Sequence, residues 1–224
     1  MKILAVDTAL GACSAAVLDG EIILARRFEL MERGQAECLA PMVRDAMEEA
    51  ALAFGSLDRL GVTIGPGSFT GQRVGYAFMR GLRLALKRPL IGVTTLAAMA
   101  QEALAETGAQ GAAVLHDARR GEVYVSAVIN GSWVPARLAT LEVAMRTVLD
   151  AAGELEGPLA FAGTAGPIAA QSWRAQGRAA VETDISAPDA LWVARLALAE
   201  PEPDSVPRPL YLRPPDARLP APAR

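Results

Sequence analysis

The sequence predicts an α/β protein of two related lobes. Three observations carry this reading. Asp19-Gly20 and Asn130-Gly131 each lie between apolar runs, and such dipeptides mark hairpins because the central turn positions favour positive φ. Each hairpin is followed by alternating helical and extended patterns, the signature of strands covered by helices. The succession of elements in the first half then recurs in the second.

In the first half, strands are expected at 2–7, 13–18 and 22–30, followed by a helix over 35–54 that Gly55 ends. A strand at 59–64 leads into the loop GPGSFTG, and a second helix over 72–87 stops before Pro89. A strand at 90–93 and a helix at 95–106 complete this lobe. The second half offers strands at 112–117, 122–129 and 133–138, a helix at 141–152 and a strand at 159–162. After the loop GTAG come helices near 167–176 and 188–199. The expected division is 1–107 for the first lobe, 108–200 for the second and 201–224 for a proline-rich tail. Within that tail PLYLR is the segment able to dock, and disorder is expected after about Pro214.

With 224 residues, 52% of them hydrophobic, the chain can bury a sizeable core. A formal net charge of -3 lacks the basic excess of a protein that neutralises many phosphates alone. Any contact with nucleic acid is therefore expected to come mostly from a partner. Cys13 and Cys38 have no CxxC spacing and read as buried free thiols. Asp7 interrupts the apolar opening before a secretory core is reached, and no stretch approaches a bilayer span. A reducing cytoplasm is the expected compartment.

The motifs exclude more chemistry than they establish. GPGSFTG stands between a strand and a helix, where backbone N–H groups can hold an anion. Gly71 is followed by Gln72-Arg73 and not by Lys and Ser or Thr, so the Walker pattern is absent. The spacing Gly65, Gly67, Gly71 is one residue too long for a dinucleotide fingerprint. The glycines equally suit a tight turn and close helix–sheet packing. Pro66 and Thr70 occupy the positions where a nucleophile elbow around Ser68 needs glycines. His116 is the single histidine and sits in an apolar strand, which suits a core residue better than a base and rules out sites built on histidine pairs. Asp7, beside Thr8 at a strand end, either faces a ligand cleft or holds the following turn. The candidate nucleotide or anion cleft is thus Asp7, Thr8, Gly65, Gly67, Ser68 and Thr70. Arg119-Arg120 can present anions or simply form a solvated turn.

The two helices flanking the loop carry more apolar residues than one buried face needs. Leu39, Met42, Val43 and Met47 spread over more than a narrow stripe of the first helix. In the second, Val74, Phe78, Gly81 and Ala85 form one line, and Gly75, Met79, Leu82 and Leu86 another. Either the intramolecular core is unusually wide or a second buried contact exists.

MKILAVDTALGACSAAV, GPGSFTGQRVGYAFMRGLRLAL, PLIGVTTLAAMAQ, DARRGEVY and the tail PLYLR together resemble the TsaB (YeaZ) family, strongly over about the first 130 residues. The resemblance implies an ASKHA-type, ribonuclease-H-like fold shared with actin and sugar kinases. It implies a non-catalytic subunit that binds and activates the paralogous TsaD, which transfers threonylcarbamoyl from threonylcarbamoyl-AMP to the tRNA adenosine next to the anticodon. TsaE and TsaC act in the same pathway, tRNA is met only through the complex, and the chain alone pairs with itself. No firm cofactor is expected, with the complex interface as the place for ATP or ADP. The implied partner surface is Leu39, Met42, Val43, Met47, Val74, Gly75, Phe78, Met79, Leu82 and Leu86; which line of the second helix meets the partner stays open, and the Gly75 line is the first choice for the outward one. The catalytic paralogue's HxxxH metal pair has no counterpart in 35–54, and Gln72 stands where a small apolar residue is expected. The rival reading is an ASKHA small-molecule kinase or nucleotide-binding protein; a peptidase lacks the required side chains.

Overall fold

The computed structural model describes residues 1–213. A meander of β1 (Lys2–Asp7), β2 (Ala12–Asp19) and β3 (Ile22–Leu30) opens the chain. Then follow α1 (Gln35–Glu49), β4 (Arg59–Gly65), α2 (Phe69–Leu86), β5 (Leu90–Thr94) and α3 (Thr95–Thr107). The second half repeats the order with β6 (Gly111–Asp117), β7 (Glu122–Ile129), β8 (Ser132–Thr140), α4 (Leu141–Ala152), β9 (Leu159–Ala162), α5 (Gly166–Arg174), β10 (Ala180–Glu182) and α6 (Ala190–Ala199). The sheets run β3-β2-β1-β4-β5 and β8-β7-β6-β9-β10, so each strand of one lobe has its counterpart in the other. The meander strands pair antiparallel and the crossover strands parallel. This is the ASKHA-type fold of two mixed-sheet lobes.

Local chemistry accounts for the departures from the expected boundaries. Asn130 and Gly131 both take positive φ and join Ile129 to Ser132. The first hairpin instead pairs Asp19 with Ile22, so its loop is Gly20-Glu21 with Gly20 in the glycine-requiring first position. Helix α1 ends five residues before the expected point. Ala51 adopts φ 51° and Leu52 N–H donates to Met47 O, the left-handed closure that usually falls on glycine. Phe54–Ser56 form a separate 3-10 turn. Helix α2 starts three residues early because Ser68 Oγ accepts Gly71 N–H at 2.9 Å, capping its N-terminus.

The first sheet is built from strands within 2–94 and the second from strands within 111–182, but two helices cross between them. Helix α3 packs on β6, β7 and β9 of the second sheet, where Leu96, Met99, Ala100 and Ala103 join Ala112, Val114 and Ala160. Helix α6 returns to β1, β2 and β4, burying Ala190, Val193, Ala194 and Ala197 against Ile3, Ala5 and Ala16. Each lobe's last helix therefore seats on the other lobe's sheet, since both need an apolar cover on their inner face. Two outer clusters complete the core, one under α1 and α2 and one under α4 and α5. Among the described residues no helix is long and apolar enough to cross a membrane. The expectation of disorder after Pro214 falls outside the described residues.

Candidate functional site

The loop between β4 and α2 is pressed against the end of β1 and the turn after it. Thr8 Oγ1 donates to Gly71 O at 2.7 Å and accepts Gly75 N–H at 2.9 Å. Ser68 N–H donates to Ala9 O at 2.8 Å, and Thr95 Oγ1 to Pro66 O at 2.6 Å. A Cβ added at Gly67 would meet Ala9 O at 2.3 Å, and one at Gly71 would meet Thr8 O at 2.2 Å. These glycines make room for β1, which is the packing reading of GPGSFTG. Ser68 N–H and Gly71 N–H are given to Ala9 O and Ser68 Oγ, so neither is left to hold a phosphate. Ser68 and Thr70 are exposed, while Asp7 and Thr8 are buried.

Asp7 is the most unusual group in this cluster. Its Oδ1 accepts Thr63 Oγ1–H at 2.5 Å and Ala9 N–H at 3.1 Å, whereas buried Oδ2 has no hydrogen-bond partner. Burial pushes its pKa up to about 7, against the lowering effect of the Thr63 and Ala9 bonds. A carboxyl so placed holds the turn and carries a proton near neutrality. Nearby Asp189 accepts Leu191 N–H, capping α6, and Arg26 Nε at 2.8 Å. Glu102, whose pKa is raised to about 7 mainly by burial, lies in the same inter-lobe groove of about 470 Å³. Sequence reasoning missed this groove because Arg26, Glu102 and Asp189 sit on three distant elements.

The proposed contact residues divide sharply by burial. Leu39, Met42, Val43 and Met47 all lie in the first lobe's core, at most 8% exposed, so they cannot meet a partner. The wide apolar set of α1 is consumed by β2, β3 and α2. On α2 the inward line is Gly75 and Met79, the reverse of the expected choice, because Thr8 draws Gly75 N–H inward. Val74, Phe78, Leu82 and Leu86 are half-buried. The outermost side consists of Ala77, Gly81, Leu84 and Ala85 beside Arg73, Arg80 and Lys87, with Leu84 66% and Phe69 50% exposed. This side is apolar along its middle, basic along its edge and free of acidic residues.

The comparisons with known proteins now bear on this geometry. Residues 29–185 match the family model described as TsaD: tRNA N6-adenosine threonylcarbamoyltransferase. The structure of YeaZ from Pseudomonas aeruginosa superposes with a TM-score of 0.73 at 32% identity, covering 88% of this chain and 90% of that one. The chain belongs to the TsaB/YeaZ family. A second P. aeruginosa structure, of an uncharacterized protein with similarity to peptidase YeaZ, gives a TM-score of 0.77 at 30% identity over 95% of this chain and 99% of that one. The Escherichia coli tRNA threonylcarbamoyladenosine biosynthesis protein TsaB is 42% identical over 124 residues, 55% of this chain and 53% of that protein. The alignment thus spans about half the length of that curated relative.

Family membership leaves the chemistry of the remaining candidates to their surroundings. His116 lies near the end of β6, its Nδ1 buried without a partner and its pKa lowered to about 4, chiefly by burial. Its position opposes a role as a base: nothing among the described residues aligns it with a nucleophile. Asp117 Oδ1 accepts Arg119 N–H at 2.8 Å, and Arg119, Arg120 and Gly121 all take positive φ, so DARRG is a tight turn. Cys13 is a buried free thiol as expected, while Cys38 is only half-buried because it faces Glu29. Gln72 is buried at 3% exposure under Gly65. The described residues contain no cluster of three or more His, Cys, Asp or Glu able to hold a metal ion.

Proposed function

We propose that this chain is an accessory subunit in tRNA threonylcarbamoyladenosine biosynthesis that binds and activates TsaD through the outward side of α2. The observation that carries the reading is Leu84 and Phe69 exposed beside Ala77, Gly81 and Ala85 on a helix whose core obligations are already met by Gly75 and Met79. Small residues let another helix approach closely, and large exposed ones supply anchors. Transfer chemistry is assigned to TsaD, with TsaE and TsaC acting alongside. The chain meets tRNA through the complex and pairs with itself when TsaD is absent, in the cytoplasm. Reconstituted modification of tRNA tests this: TsaC, TsaD and TsaE should form product with this chain added and far less without it. Product from this chain and TsaC alone overturns the assignment.

The second reading, a site for ATP or ADP at Asp7 and the GPGSFTG loop, is favoured by the unpartnered Oδ2 of Asp7. The N–H groups of Ser68 and Gly71, already spent within the loop, count against it. Calorimetry with Mg-ADP on the chain alone, and on its complex with TsaD, decides; heat that persists in Asp7→Asn excludes Asp7 as the ligand.

A further inference from the structure

We infer that residues 206–213 form a releasable strap that couples the N-terminal turns of α2 in the first lobe to the β6–β7 turn in the second. This goes beyond the partner-binding reading and does not depend on it. The strap has one footing on each lobe.

On the first lobe, Leu210 N–H donates to Ile64 O at 2.7 Å, and Tyr76 Oη donates to Pro207 O at 2.7 Å. The Tyr211 ring lies 5.6 Å from that of Phe69, and Arg73 reaches both, its guanidinium 3.5 Å from the Phe69 centroid and its Nε donating to Tyr211 Oη at 3.2 Å. On the second lobe, Arg213 Nη1 donates to Ala118 O at 2.7 Å, and Nη2 donates to Glu122 Oε2 at 2.6 Å. Arg119 O lies 3.4 Å from the same Nη2. Arg213 therefore caps carbonyls of a turn that has three consecutive left-handed residues, Arg119, Arg120 and Gly121.

The lobes are already joined by the exchanged helices α3 and α6, so the strap is not what keeps them together. It ties two loops that those helices do not fix. Tyr211 and Arg213 are two residues apart, so docking of one presents the other at high effective concentration. The contacts are partly exposed, Tyr211 by 44%, and each is of a size that shifts an equilibrium about tenfold. Docking is thus cooperative yet reversible. A ligand or partner that displaces Tyr211 from Phe69 and Arg73 would free the β6–β7 turn without touching it.

Hydrogen exchange on the full chain tests the coupling. Tyr211→Ala removes a contact made only with the first lobe, and should raise exchange of the Ala118 and Glu122 amides about tenfold. Arg213→Ala removes contacts made only with the second lobe, and should raise exchange at Leu210 by a similar factor. Protection in β1 and β4 serves as the folding control. If Tyr211→Ala loosens the tail but leaves residues 118–122 at the parent rate, the strap does not couple the lobes and the inference fails. Should Arg213→Ala not fold, the Tyr211→Ala arm alone decides.

Discussion

Replacing Leu84 with glutamate puts a charge on the outward side of α2 while leaving the core untouched, since Leu84 is 66% exposed. In the free chain such a surface change moves stability by about 0.5 kcal/mol or less. Arg80, one turn earlier and also exposed, can pair with the new carboxylate, contributing about 0.3–0.5 kcal/mol. The complex is another matter. Full burial of a leucine contributes about 1.5–3 kcal/mol, and two-thirds of that, about 1–2 kcal/mol, is still available when a partner covers Leu84. The substitution forfeits this gain and adds the desolvation of a charge, which pairing with Arg80 or Lys87 offsets only in small part. A net loss of about 2 kcal/mol or more raises Kd about 30-fold. Titration calorimetry of the full chain with TsaD reads that change, with the thermal unfolding midpoint as the folding control. A folded Leu84→Glu variant that binds TsaD within about threefold of the parent would falsify the assignment of α2 as the interface. Met79→Glu is no substitute, because Met79 is 0% exposed and its replacement attacks the fold itself.

Two further outcomes follow from the site geometry. Asp7 has a folded pKa of about 7, above its unfolded 3.8, so its neutral form stabilises the fold fully below pH 4 and that contribution is lost as pH rises through 7. The neutral isostere Asp7→Asn should therefore stabilise the fold more at pH 8 than at pH 5, by about 3 kcal/mol. Glu102 titrates in the same window, so part of the pH dependence should remain; a midpoint difference that does not vary with pH rules the argument out. On α2, Gly71→Ala should destabilise by about 1–3 kcal/mol because its Cβ meets Thr8 O at 2.2 Å, whereas Gly81→Ala, with nothing within 4 Å, should stabilise by about 0.5–1 kcal/mol. Denaturant midpoints moving in the same direction for both variants would contradict this.

Apart from β10, which no expected strand covers, element order and kind were legible because they follow from local chemistry. Asn130-Gly131 and the apolar runs of β1 and β6 act within a few residues, whereas the Ser68 cap, equally local, was missed. The faces were not legible, because they are decided by partners far along the chain. Periodicity shows two apolar lines on α2 but not that Thr8 takes the N–H of Gly75 and turns that line inward. The apolar breadth of α1 suggested a surface, yet it is used up by β2, β3 and α2. The crossing of α6 onto β1 joins residues nearly the whole described chain apart, and no local pattern encodes it.

The duplication supplies an internal control for the interface. Helix α5 occupies in the second lobe the place α2 occupies in the first, following the parallel strand next to the central one. Nine residues suffice there, with Ala169, Ala170 and Trp173 closing the core. Helix α2 has eighteen, about two and a half more turns, or about 13 Å of added length. Met79 accounts for the inward side of that extension, and Leu86 is half-buried near its end. The outward side, with Ala77, Gly81, Leu84 and Ala85, is longer than that of α5, where Ile168 is the exposed large apolar residue at 51%. A helix extension that one copy of a repeated fold carries and the other omits is not required by the fold, and the proposed contact with a partner would account for the leucine it exposes to water.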